Sequence, residues 1–153
     1  MRNNHTLLLL LEDLFAKHKN SFAVHQTITI AYTLVSLDSA SMAFVKEIDI
    51  FLTTYNKKAN LTELLCYQVV TILVKNSEFS EANLVEYLNI YKKFIDRNQV
   101  KPRQLKYLVN ELKARLKNFS GKPVKEGTFD VKGFLDEYYK EIAAKNNFFK
   151  YKN

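Results

Sequence analysis

Glycine and proline are nearly missing from this chain of 153 residues: Gly121, Gly127, Gly133, Pro102 and Pro123 are all there are, and all follow residue 100. A hundred consecutive residues without a backbone breaker favour helices over a many-turned β fold. So few glycines also leave no room for a phosphate-cradling loop. The G-x-x-x-x-G-K-[ST], G-x-G-x-x-G and G-x-S-x-G patterns are all absent. Cys66 is the single cysteine, so no disulfide can close within the chain, which fits a reducing, intracellular compartment, cytoplasmic or mitochondrial. Flanked by Leu64 and Leu65, it reads as a small buried hydrophobe rather than a reactive thiol.

Long apolar runs are lacking too. No segment approaches the ~20 residues that span a bilayer, so no membrane span is expected. The five leucines Leu7, Leu8, Leu9, Leu10 and Leu11 are followed at once by Glu12 and Asp13, with no small-residue cleavage site, which argues against a signal core. Three histidines, His5, His18 and His25, share no tight motif with a second ligand-type residue, so no metal site is expected. The acidic pairs Glu12/Asp13 and Asp136/Glu137 are adjacent and point different ways on a helix, so they read as solvated charges. No nucleophile, acid–base pair or cofactor motif remains. The chain is read as non-enzymatic, with no cofactor and no small-molecule substrate.

What is present is helical spacing almost throughout. Hydrophobic residues make up 47% and charged residues 25%, which suits a single globular domain able to bury ~70% of its unfolded surface. Seven helices are expected. The first, over 6–17, places Leu7, Leu8, Leu11, Leu14 and Phe15 on one face, and Leu9 and Leu10 widen it, so the helix is either central in the fold or docked on a partner protein through Leu7, Leu8, Leu9, Leu10 and Leu11. The second covers 21–37 around Ile28, Ala31, Tyr32 and Val35. The third follows caps in Asp38–Ser41 and carries Phe44, Val45, Ile48, Phe51, Leu52 and Tyr55. Asn60 is expected to cap the fourth, and Ser80 the fifth, whose stripe is Leu84, Tyr87, Leu88, Tyr91, Phe94 and Ile95. Pro102 suits the first turn of the sixth.

Weak matches recur along these segments. Thr33–Val35 and Ser39 match Thr71–Leu73 and Ser77; Ile48, Leu52 and Tyr55 match Tyr87, Tyr91 and Phe94; Leu65 and Tyr67 match Leu105 and Tyr107. The spacing is that of stacked helical hairpins, a short α-solenoid-like array, while a plain antiparallel bundle gives such matches by chance. Residues 1–120 are therefore read as an all-α, hairpin-repeat-like body. A loop follows over 121–129, then a helix over 130–147 and an aromatic-basic tail over 148–153, all within one domain.

Charge is distributed unevenly. Residues 1–100 hold ten basic and ten acidic side chains, whereas residues 101–153 hold thirteen against six and so carry the whole net +7. In the sixth helix Leu105, Leu108, Val109, Leu112, Leu116 and Phe119 form an apolar stripe, while Arg103, Lys106, Lys113 and Lys117 fall on a neighbouring face. Lys101 and Arg115 lie outside that row. A row of cations can track a phosphate backbone and release counterions, and lysine favours backbone over base contacts. The expected RNA-contacting set is therefore Lys101, Arg103, Lys106, Lys113, Arg115 and Lys117, with Phe149, Lys150, Tyr151 and Lys152 from the tail, whose aromatics can stack on unpaired bases or equally tuck into a groove on a partner protein. A solvated lysine face is the plainer reading of the same residues.

With 38–40-residue hairpins over residues 25–119 and a basic helix after them, the layout resembles the α-helical repeat proteins of organellar RNA metabolism. These are the FAST-kinase-like and heptatricopeptide-type repeats of RNA-processing factors and some mitochondrial ribosomes. The resemblance covers about two repeats, carries no diagnostic motif and assigns no site residue. It implies an RNA-associated role and an organellar location; with the confined +7 and the missing catalytic residues, the expected function is a non-catalytic adaptor or structural subunit of a ribonucleoprotein. The alternative is a protein–protein subunit of a larger complex without nucleic acid.

Overall fold

The computed structural model describes residues 2–115 and 130–140, with side chains from Thr6 onward. Among these residues there are seven α-helices and no strand: α1 (Arg2–His18), α2 (Val24–Ser36), α3 (Met42–Thr54), α4 (Glu63–Lys75), α5 (Glu81–Asp96), α6 (Pro102–Arg115) and α7 (131–140). The chain is all-α, as the apolar periodicity implies.

Helix starts follow local chemistry. Ser41 Oγ accepts from Phe44 N–H at 3.2 Å, Ser80 Oγ from Asn83 N–H at 3.2 Å, and Pro102 opens α6. The cap of α4 is Thr62, whose Oγ1 accepts from Leu65 N–H at 3.2 Å; Asn60, the expected cap, sits instead in a short 3₁₀ turn over Lys58–Asn60. A second 3₁₀ turn, Lys19–Ser21, moves the start of α2 three residues past the expected Ser21. Two helix ends need a left-handed residue, a place glycine usually fills. Lacking glycine, the chain uses Asp38 at φ 52° after α2 and Asn98 at φ 56° after α5. The next residues close the ends: Ser39 N–H donates to Leu34 O and Gln99 N–H to Phe94 O, both at 2.9 Å.

The helices stack in two layers. α2, α4 and α6 lie side by side in one; α1, α3 and α5 form the other, with α4 against α5 and α1 against α2 between them. The first layer has helix starts at residues 24, 63 and 102, and α3 and α5 start at 42 and 81, so both series advance by 39 residues. Only one set of sequence matches has that spacing: Ile48, Leu52 and Tyr55 with Tyr87, Tyr91 and Phe94. The sets at 38 and 40 are one residue out, which on a helix is a rotation of about 100°. At a shift of 39, Cys66, Val69, Val70 and Leu73 of α4 coincide with Leu105, Leu108, Val109 and Leu112 of α6. All are buried except the half-buried Leu105.

α4 is the centre, with eight of its residues buried from Cys66 to Val74. The seam between α3 and α5 is by contrast polar. Asp49 Oδ1 accepts from Ser80 N–H at 3.2 Å and from Asn83 Nδ2 at 2.8 Å, and Thr53 Oγ1 lies 2.9 Å from the same nitrogen. Tyr87 donates its hydroxyl to Leu52 O at 2.7 Å, and Lys58 pairs with Glu86 at 2.9 Å. α1 joins α3 in the same manner, Glu12 accepting from the Ser41 N–H and hydroxyl, and Lys19 pairing with Glu47.

Burial pushes the Cys66 thiol up to about 12, helped by the Glu63 charge, and raises the phenols of Tyr67, Tyr87 and Tyr91 for the same first reason. An unfolded chain releases these protons from about pH 8.5 for the thiol and about pH 10 for the phenols, while the folded chain holds them. The unfolded state then binds fewer protons, so stability is full below about pH 8.5 and falls above it. Each withheld ionisation costs about 1.4 kcal/mol per pH unit. Urea midpoints measured from about pH 7 to 11 should fall progressively above that threshold. A flat profile to pH 11 would contradict the burial of these groups.

Candidate functional site

The expected cation row is built as the sequence implies at three positions. Arg103, Lys106 and Lys113 are exposed on α6 with Asn110 between them, opposite the buried Leu108 and Leu112. The stack explains why that face is open. A shift of 39 carries Lys106, Asn110 and Lys113 onto Tyr67, Thr71 and Val74 of α4, and those three are buried. The opposite flank of α6 meets α4 through Arg115. The cations therefore occupy the face on which a further helix of this layer would sit. A charged outer face on the last unit of a stack keeps it soluble, so the plain reading and the functional one attach to the same residues.

Among the described residues, no ion pair joins Arg103, Lys106 or Lys113 to a carboxylate. Lys101 is exposed just before α6. Lys113 Nζ stands 5.5 Å from the centre of the Tyr139 ring on α7, a cation–π contact. Tyr139 is 39% exposed and adds an aromatic surface beside the cations. Sequence reasoning missed it, since nothing local in Tyr138–Tyr139 announces a meeting with a lysine on another helix.

Arg115 does not belong to this face. It is 8% exposed, and its guanidinium donates to Leu73 O at 2.7 Å, Asn76 O at 3.0 Å, and Val74 O and Phe79 O at 3.4 Å. These carbonyls belong to the open C-terminal end of α4 and the loop after it, where a cation also meets the negative end of the helix dipole. Burial lowers the proton affinity of Arg115, the Glu81 charge opposing it, yet a guanidinium stays charged. Its role is to close α4, not to meet RNA. Lys117, Leu116 and Phe119, together with Phe149, Lys150, Tyr151 and Lys152, lie outside the described residues.

The leucine cluster of α1 divides. Leu8 and Leu11 pack with Phe15 toward the core, whereas Leu7, Leu9, Leu10 and Leu14 are exposed, so the single apolar face read from the sequence is split in two. The 100° step per residue explains the split, because α2 covers only the arc centred on Leu8, Leu11 and Phe15. Leu9 instead borders a groove of about 270 Å³ between α1 and α3, beside Ala43 and Phe44 and the carboxylates Glu12, Asp13 and Glu47. Each carboxylate already has a partner: Ser41, Lys17 and Lys19 respectively.

Neither a family model, nor a curated protein, nor a solved structure matches the chain. Among the described residues, no group of His, Cys, Asp and Glu is placed to hold a metal ion, and no helix is long and apolar enough to cross a membrane.

Proposed function

We propose that this chain is a non-catalytic α-helical adaptor of an intracellular ribonucleoprotein, cytoplasmic or mitochondrial, that meets RNA phosphates through the outer face of α6. The observation carrying this reading is the row Arg103, Lys106 and Lys113, held outward by the buried Leu108, Val109 and Leu112 and joined to no carboxylate among the described residues. Lysines at helical spacing neutralise successive phosphates without reading bases, so binding depends on backbone and shape. Tyr139 beside Lys113 offers a ring on which an unpaired base can stack.

Affinity for a single-stranded RNA should therefore fall steeply between about 50 and 200 mM salt, with a log–log slope near −2 for three phosphate contacts. Lys106→Ala and Lys113→Ala should each flatten the slope by about 0.7. No measurable binding at the lowest salt, or the same slope in the double variant, would refute the reading. A second reading, a protein–protein subunit without nucleic acid, draws on the exposed leucines of α1, and the same titration separates the two.

A further inference from the structure

The exposed surface of α6 holds more than cations. At 100° per residue, Lys113, Lys106, Asn110, Arg103, Ala114 and Tyr107 follow one another round a single exposed arc of about 120°. No carboxylate interrupts it: Glu111, the one acid of α6, is half-buried beyond Tyr107 on the side that meets α4. The arc is therefore cationic in its middle and aromatic at one edge. At its other edge, beside Lys113, stands Tyr139 of α7. The two rings are open to much the same degree, Tyr107 by 37% and Tyr139 by 39%. Both are also tethered. Tyr107 sets its hydroxyl toward the Lys75 ammonium at the end of α4, a contact that raises the proton affinity of Lys75 while burial opposes it. The Tyr139 ring lies edge-on to Tyr138 at 5.7 Å, with Lys113 Nζ 5.5 Å from its centre.

We propose that this surface takes an unpaired RNA segment that crosses α6 obliquely, one base stacked on Tyr107, another on Tyr139, and the phosphates between them on Arg103, Lys106 and Lys113. The inference rests on the reading of α6 as a phosphate-binding face and adds the class of RNA. Cations alone do not choose between a single strand and a duplex, since both present phosphates. Open rings do choose, because paired bases keep their faces inside the helical stack. A strand laid along the axis of α6 would pass one ring, whereas a strand laid across it meets both. Tyr107 and Lys113 are six residues apart, a rise of about 9 Å on a helix about 10–12 Å wide, so the crossing is short. A tethered tyrosine loses little freedom when a base stacks on it. The contact between Lys113 and Tyr139 is no obstacle. An exposed cation–π pair is weak, so the ammonium can turn to a phosphate and leave the ring to a base. Stacking and phosphate contacts read no base edge, so the site tolerates many sequences.

The test titrates the full chain, at about 50 mM salt, with a mixed-sequence RNA strand of about 12 nucleotides and with the same strand annealed to its complement. The single strand should bind about tenfold or more tightly than the duplex, since each stacked base contributes about fivefold or more. Tyr107→Ala and Tyr139→Ala should each weaken single-strand binding about fivefold or more. Both should leave duplex affinity and the salt slope unchanged, because no charge is lost. That split separates lost stacking from a damaged fold, which would weaken both RNAs. Tyr139→Phe keeps the ring and should bind the single strand like wild type. Equal binding of strand and duplex, or wild-type single-strand affinity in both alanine variants, would overturn the inference. A steep salt slope that flattens in Lys106→Ala and Lys113→Ala would then leave the phosphate reading standing. No binding of either RNA at that salt would end both.

Discussion

Replacing Arg115 by alanine should lower the stability of this protein by about 3 kcal/mol, with a fall of roughly 1–2 M in the urea midpoint. The guanidinium is the hydrogen-bond donor shared by Leu73, Val74, Asn76 and Phe79 carbonyls, at distances from 2.7 to 3.4 Å. These include the last-turn carbonyls of α4, which a helix cannot satisfy by itself. Without the side chain the Leu73, Val74 and Phe79 carbonyls lose this donor, while Asn76 O keeps the Phe79 N–H at 3.3 Å; each buried carbonyl left unpaired costs about 1–3 kcal/mol before local relaxation. Arg115→Lys keeps the charge but offers a compact ammonium in place of a planar fork, and should fall between wild type and alanine. Its RNA salt slope should equal that of wild type, since the group sits beneath the surface. A loss under 1 kcal/mol in Arg115→Ala would show that the α4 end is closed by other means.

The next largest effect is expected at the seam between α3 and α5. Asn83 is 2% exposed and directs its amide nitrogen at the Asp49 carboxylate 2.8 Å away, at Thr53 Oγ1 and at the Asp49 carbonyl. Asn83→Asp is nearly isosteric, yet it sets a second carboxylate where a donor stood. Two such charges at that separation cannot both ionise without a large penalty, so the variant should lose about 3 kcal/mol at pH 7. Lowering the pH lets the pair share a proton and restore the hydrogen bond. The stability gap to wild type should therefore narrow below about pH 5, the reverse of ordinary acid destabilisation. Asn83→Leu removes the donor without adding charge, and its deficit should not shrink on acidification. Urea unfolding of the three proteins at pH 4.5 and 7 checks this, and parallel deficits for both variants would contradict the geometry.

How far these features could be read in advance depends on how local they are. Ser41, Ser80 and Pro102 were legible because a cap bonds within its own first turn. The apolar faces of α3, α5 and α6 were legible because periodicity alone fixes them. Which arc of α1 is covered was not, because that depends on where α2 lies, and so one face was read where the fold parts Leu8, Leu11 and Phe15 from Leu7 and Leu14. Arg115 was misassigned for a deeper reason. Its partners are backbone carbonyls 36 to 42 residues away, and carbonyls leave no trace in residue type. Tyr139 meets Lys113 only after the chain returns along α7. The spacing of the stack was visible to within one residue, yet one residue on a helix decides which face is compared.

Glycine scarcity and the constant 39-residue advance together say how this architecture can change in length. Residues 42–80 hold one complete unit, α3 and α4 with both connections, beginning at the residue Ser41 caps and ending at Ser80, the cap of α5. A tandem copy of that block placed after Ser80 would bring the chain back in phase with α5. Each new helix would find an interface of the kind already present, Asp49 again reaching the next serine cap and α4 again flanked in its layer. Additions at either end would meet faces unlike any inside, leucine at one and lysine at the other. The stack of described helices is extensible from its middle.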